Sequence, residues 1–171
     1  MQYVRIPSKR VSALIGVGGE TLLDLEKKTR TKIRVDDTSV EIEGDPMDEW
    51  VTLDVVKAIG RGFAPEQSLK LLGEGMALRV IQLKDYTSTP KELNRKKGRI
   101  IGRKGKSRKY IENLTGVDIC VYGNTVSIIG SLDDVELARE AVLRLVRGSH
   151  HANVYRFLEE QARHKHQIDF F

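Results

Sequence analysis

The chain has 171 residues, 40% hydrophobic and 31% charged but only 6% aromatic, a balance that fits folded intracellular domains. No apolar run is long enough to cross a bilayer, and Met1-Gln2-Tyr3-Val4-Arg5-Ile6 lacks the basic start and apolar core of a secretory signal, so a soluble, cytoplasmic protein is expected. Cys120 is the only cysteine, which excludes an internal disulfide, and in an alternating run it reads as a buried structural thiol rather than a nucleophile.

In chain order, Tyr3 to Ile6 predicts a strand, Ser8 to Ile15 a short helix and Gly19 to Thr29 a longer one. Lys32 to Val35 and Val40 to Glu43 form a strand pair, and Pro46 to Ile59 a closing helix, in which Trp50 reads as a core or domain-interface residue. Gly60-Arg61-Gly62-Phe63-Ala64-Pro65 breaks that helix, and Pro65 to Leu72 predicts another, ending at Gly73-Glu74-Gly75, with Leu69, Leu71 and Leu72 expected to pack between two domains. The same order then returns. Leu78 to Leu83 is a strand, Lys91 to Ile101 and Lys106 to Leu114 are helices, Asp118 to Val121 and Thr125 to Ile129 are strands, and Asp133 to Arg147 is a helix. After Gly148, the run Asn153 to Arg163 places Val154, Phe157 and Leu158 on one stripe, which predicts a terminal helix docked on the body.

The recurrence is visible residue by residue. From Ile15 to Asp48, and again from Ile101 to Asp134, matching residues recur at a constant offset of 86 positions without a gap. Ile15-Gly16-Val17-Gly18-Gly19 falls on Ile101-Gly102-Arg103-Lys104-Gly105, Glu26 on Glu112, Ile33 on Ile119 and Gly44 on Gly130. Two copies of one small α/β unit follow.

Net charge is +5, and it is unevenly placed: about 13 basic residues face 14 acidic ones up to Tyr86, against about 16 and 10 beyond it. Between Lys91 and Lys109, the cations Lys91, Arg95, Lys96, Lys97, Arg99, Arg103, Lys104, Lys106, Arg108 and Lys109 face a single acid, Glu92. Such density on one helix and its loop points to a polyanion partner. A phosphate backbone needs peptide N–H groups that can be approached closely, which Gly102 and Gly105 allow, and neutralising cations, which Arg103 and Lys104 supply. Lys97, Arg99, Lys106, Arg108 and Lys109 extend the cationic surface. Bases would lie over an apolar groove for which Ile101, Ile111, Ile119 and Val121 are candidates, although each also fits a core role. In the first copy the subsidiary loop Gly16-Val17-Gly18-Gly19 holds no cation and is followed by Glu20, so phosphate affinity there should be weak. That surface either makes a minor backbone contact or serves a protein partner.

The Gly-x-x-Gly step between two helices, followed by Leu114-Thr115-Gly116-Val117-Asp118-Ile119, resembles the K-homology (KH) RNA-binding domain. The resemblance implies an α/β (α+β) fold of two type I KH domains of β-α-α-β-β-α order, each a three-stranded antiparallel sheet packed on three helices. Their expected spans are 1–60, with a degenerate loop, and 77–148; 61–76 would be a structured helical linker and 149–171 a C-terminal helix and tail. Leu78-Arg79-Val80-Ile81, Gly98 to Lys106, Tyr122 to Val126, Ile128-Ile129-Gly130 and Gly148 to Glu159 further resemble the archaeal tandem KH-domain ribosome-assembly and rRNA-processing family, the partner-of-Nob family. What that resemblance implies is binding of single-stranded RNA near the 3′ end of small-subunit ribosomal RNA, in company with the endonuclease that trims it and with the α subunit of archaeal initiation factor two. A protein-interaction scaffold using the basic surface without specific RNA recognition is the competing reading.

Enzymatic motifs fit poorly. Gly105-Lys106-Ser107 ends like a nucleotide-binding loop, but Ile100 stands where its first glycine belongs, and Thr21 replaces the third glycine of a dinucleotide fingerprint at Gly16-Val17-Gly18. His150, His151, His164 and His166 lack a nearby cysteine or well-spaced carboxylate, so neither a metal nor another cofactor is expected, and the protein is not expected to be an enzyme.

Overall fold

A computed structural model describes residues 1–169, and they divide into two compact units, the first ending at Leu78 and the second starting at Arg79. The last two residues of the expected tail, 170–171, lie outside the described residues.

The first unit runs β1 (Gln2–Arg5), α1 (Ser8–Ile15), α2 (Glu20–Thr29), β2 (Lys32–Asp36), β3 (Ser39–Glu43) and α3 (Pro46–Gly60). Strand β3 lies between β1 and β2, antiparallel to both, with Val4 opposite Val40 and Ile33 opposite Ile42. Alternation along β3 sends Val40 and Ile42 inward, where both are fully buried against the helices. Helix α3 opens with Pro46 at its first turn, where the missing N–H costs nothing. It buries Leu53, Val55, Val56 and Ile59.

Only one stripe of α3 stays open, and Trp50 falls on it with Met47 and Lys57, at helical spacings of three and seven. Trp50 is therefore 62% exposed, which corrects the core alternative of the core or domain-interface expectation. Residues 61–76 are ordered: α4 (Pro65–Ser68) and the tighter turn Leu69–Leu72 pack on α3 of the same unit. Phe63 and Leu71 are buried there, whereas Leu72 is largely exposed. The single helix expected from Pro65 to Leu72 is thus two short pieces.

The order repeats with β4 (Met76–Gln82), which crosses the division at Leu78, and then α5 (Pro90–Ile101), α6 (Lys106–Thr115), β5 (Asp118–Tyr122), β6 (Thr125–Ser131) and α7 (Leu132–Val146) in the second unit. Its sheet has the same order, β4-β6-β5, with Ile119 opposite Ile128. Six consecutive residues of β6, Thr125 to Gly130, are buried, which makes this central strand the floor of the core. Helix α5 is capped by Thr89, whose hydroxyl accepts the Glu92 N–H at 3.1 Å, while the Glu92 carboxylate accepts the Ser88 N–H at 3.0 Å. Helix α8 (His151–Asp169) packs on α6 and α7 with Val154 and Leu158 fully buried and Arg144 stacked 3.7 Å over the Phe157 ring.

The expected β-α-α-β-β-α order is present twice. Cys120 is half-buried on the face of β5 opposite to Ile119, so the fully buried thiol expected from the sequence is corrected. No helix among the described residues is long and apolar enough to cross a membrane.

Candidate nucleic-acid interface

The two inter-helix loops share one backbone. Gly16 and Gly102 have φ of 75° and 74°, Gly18 and Lys104 have 62° and 56°, and Gly19 and Gly105 have 80° and 74°. At the first position glycine is obligatory on two grounds. The φ is left-handed, and a Cβ on Gly102 would sit 2.7 Å from Ser107 Cβ, as one on Gly16 would sit 2.1 Å from Thr21 Oγ1. The close approach lets the loop fold back as a tight turn in which the Gly105 N–H donates to the Gly102 carbonyl at 3.2 Å.

Equivalent side chains also anchor the far end of the second helix in both copies. Glu112 accepts the Ile119 N–H at 3.0 Å, and Glu26 accepts the Ile33 N–H at 2.8 Å, each tying the second helix to the following strand. Thr115 and Thr29 each donate to a carbonyl one turn back at 2.6 Å.

What differs is the chemistry displayed. Arg103 and Lys104 are exposed, and no carboxylate pairs with them among the described residues. Helix α6 starts at Gly105 without a side-chain cap or an acid in its first turn, so its free amides and the positive end of its dipole face the same place as the two cations. In the first unit the loop presents Val17, 89% exposed, and Gly18, and Glu20 supplies a negative charge in the first turn of α2. The second loop thus displays two cations beside an acid-free helix start, and the first displays none.

The remaining nominated cations separate into two groups. Lys106 and Lys109 are exposed beside the loop, and Lys97 is half-buried on α5. Arg108 and Arg99 are held by the protein. Arg108 pairs with Glu112 at 3.2 Å and donates to the Ile119 carbonyl at 3.3 Å. Arg99 donates to the Ser149 carbonyl, and the His151 Nε2 donates to the Arg99 carbonyl at 2.8 Å. Lys96 is likewise pinned, to the Tyr86 carbonyl at 2.7 Å and to Glu92 at 3.3 Å. The Ser88 N–H, the Ser88 hydroxyl and Lys96 together hold the Glu92 carboxyl below the usual glutamate range, against a smaller opposing effect of burial.

The four apolar candidates separate by burial. Ile111 is fully buried and Ile119 is 2% exposed, so both are core residues out of reach of a base. Ile101 and Val121 are half-buried and keep some accessible surface. Sequence reasoning missed Tyr110, one residue beyond Lys109 on α6. Its hydroxyl donates to Glu159, which raises its pKa, and its ring lies 4.2 Å from that of Tyr155. Its partners lie some 50 residues away, and no local pattern announces them. No group of three or more His, Cys, Asp or Glu side chains arranged to hold a metal occurs among the described residues.

Residues 77–163 match the model of the eukaryotic-type KH domain (KH-domain type I) found as the second such domain of Pno1 proteins, and residues 1–50 match the general KH-domain model. A KH domain-containing protein of Methanocaldococcus jannaschii is 46% identical over 167 residues, covering 94% of this chain and 74% of that one. The chain belongs to the type I KH-domain family. Its two Gly-x-x-Gly loops are therefore KH loops in fold, whatever each one binds.

A KH chain in the crystal structure of the a/eIF2alpha–aDim2p–rRNA complex from Pyrococcus horikoshii is 44% identical, with a TM-score of 0.89, covering 95% of this chain and 93% of that one. The pre-rRNA-processing protein PNO1 of Chaetomium thermophilum is 34% identical over 105 residues, which span 60% of this chain and 40% of the longer fungal protein.

Proposed function

We propose that this protein is an RNA-binding ribosome-assembly factor whose second KH domain holds a short single-stranded segment, in the 3′ region of small-subunit ribosomal RNA. The observation that carries this reading is the contrast between two loops of one backbone. Both loops lead into a helix without a side-chain cap, but only Gly102 to Gly105 adds unpaired cations and a first helical turn free of acids, the combination a phosphate backbone requires. The pre-rRNA-processing relatives and the rRNA-bound Pyrococcus relative support the ribosomal assignment.

The mechanism is positioning rather than catalysis. Gly102 and Gly105 let the backbone approach, Arg103 and Lys104 neutralise phosphates, Lys106 and Lys109 extend the charged rim, and Ile101 and Val121 receive bases, about four nucleotides in all. The protein would act in the cytoplasm and present the RNA to an rRNA-trimming endonuclease.

Fluorescence anisotropy of a labelled oligonucleotide from the rRNA 3′ end, against a scrambled one, tests this. With three or four phosphates held, log affinity should fall against log salt with a slope of roughly −2 to −3. The double substitution Arg103→Asp, Lys104→Asp should abolish the preference while leaving the thermal transition in place. Equal weak binding to both oligonucleotides would leave only a basic scaffold.

A specific observation favours a second role for the first domain. Val17 stands 89% exposed at the tip of a loop without cations, a surface suited to a protein. The initiation-factor α subunit is the proposed partner, supported by the composition of the Pyrococcus complex.

A further inference from the structure

Away from the Gly102–Gly105 loop, a cleft of about 350 Å³ opens between α5 and the turn that joins α7 to α8. Arg95, Lys96 and Arg99 line it from α5, Arg99 lying one turn beyond the other two at helical spacings of four and three, and Arg147 closes it from the far side.

The cleft holds one acid, Glu92, and that acid is already occupied by Ser88 and by Lys96, which it neutralises. Arg95, Arg99 and Arg147 are left without a carboxylate among the described residues. Arg95 and Arg147 are exposed, but Arg99 is held in place by the Ser149 carbonyl, and its Nε is buried with no acceptor at all. The buried Nε stays out of reach of the cleft, but the Arg99 guanidinium carries its charge unopposed by any carboxylate, and an anion in the cleft would supply the missing countercharge. Three planar forks converging on one concavity suit the oxygens of a phosphate group.

We propose that this cleft is a second phosphate subsite, taking a backbone phosphate of the same strand that crosses the Gly102–Gly105 loop. The inference rests on the RNA-binding reading above and extends it. Arg95 lies about 10 Å along the α5 axis from Gly102, so one strand can span both places. Helix α5 then serves as a rail, with the loop at its C-terminal end and the arginine cleft on its flank. The bonds from Arg99 to Ser149 and from His151 to Arg99 hold the two walls of the cleft together.

The test uses the full chain and two RNA probes at about 150 mM salt, where the Debye length of about 8 Å limits through-space effects. One probe is a tetranucleotide that fills the loop groove; the other is a dodecamer with that tetranucleotide at its centre. The double substitution Arg95→Gln, Arg147→Gln removes two exposed side chains and should leave the thermal midpoint unchanged. Dodecamer affinity should fall roughly tenfold, as expected for losing a charge-assisted contact, and its salt slope should shrink by about 0.7. The tetranucleotide should change less than twofold. Unchanged dodecamer affinity, or equal losses for both probes, would overturn the subsite while leaving the loop reading intact. Wild-type protein that binds neither probe would overturn the loop reading, and the subsite with it.

Discussion

Lys104 occupies a left-handed conformation, φ 56° and ψ 28°, that a lysine adopts at a cost of about 1–2 kcal/mol and that Gly18 adopts freely at the equivalent place. The residue best suited to the backbone stands in the copy without cations, so the strain at Lys104 is maintained against stability. Lys104→Gly should therefore raise the unfolding free energy by about 1 kcal/mol in a urea titration and lower RNA affinity severalfold by anisotropy. A variant that loses both would show that Lys104 also supports the fold. The glycines and cations of this loop were legible in the sequence because each is a local choice of residue. The depth of Ile111 and Ile119 was not, since periodicity assigns a face to a side chain but not how many neighbours close over it.

Helix α5 carries the loop at its end, and it is fixed at both termini by bonds of different range. At its start, the Thr89, Glu92 and Ser88 hydrogen bonds are local and readable as a capping pattern. Because the Glu92 carboxyl is held below the ordinary glutamate pKa of about 4.3, its contribution is complete at neutral pH and is lost as the pH falls through its lowered value. The thermal midpoint of the wild type should drop more steeply than that of Glu92→Gln between about pH 5 and pH 3, as followed by circular dichroism. At the other end Arg99 meets Ser149, and α8 in turn is tied to α6 by Tyr110 and Glu159 and to α7 by Lys165 and Asp134, contacts between residues 31 to 50 positions apart. None of these could be read from spacing. The apolar stripe of α8 could, and Val154 and Leu158 occupy the buried positions it predicts. Leu158→Ala should cost about 2–5 kcal/mol in denaturant titration, and a loss well below that would mean α8 contributes little to the second domain's core.

For the whole molecule, the constant offset of 86 positions made the fold legible, because two chains of matching residues must solve the same packing problem. The shared braces at Glu26 and Glu112 and at Thr29 and Thr115 are its structural counterpart. The charge the loops display differs in the two residues between the paired glycines, Val17-Gly18 in one copy and Arg103-Lys104 in the other. Grafting the second loop's cations onto the first, by Val17→Arg and Gly18→Lys, should add a phosphate contact and steepen the salt slope of binding to a long oligonucleotide by roughly 0.7 or more; an unchanged slope would mean that the rest of the first domain, and not its loop, excludes RNA. The space beneath the first glycine of each loop carries a wider consequence. Gly16 and Gly102 are both kept free of a Cβ by a side chain pressed against them, Thr21 in one case and Ser107 in the other. A descendant copy can therefore surrender its ligand and still retain the glycine, because folding alone enforces it. In this chain the first glycine of each loop therefore reports the fold, and only the residues that follow it are free to change what the loop displays.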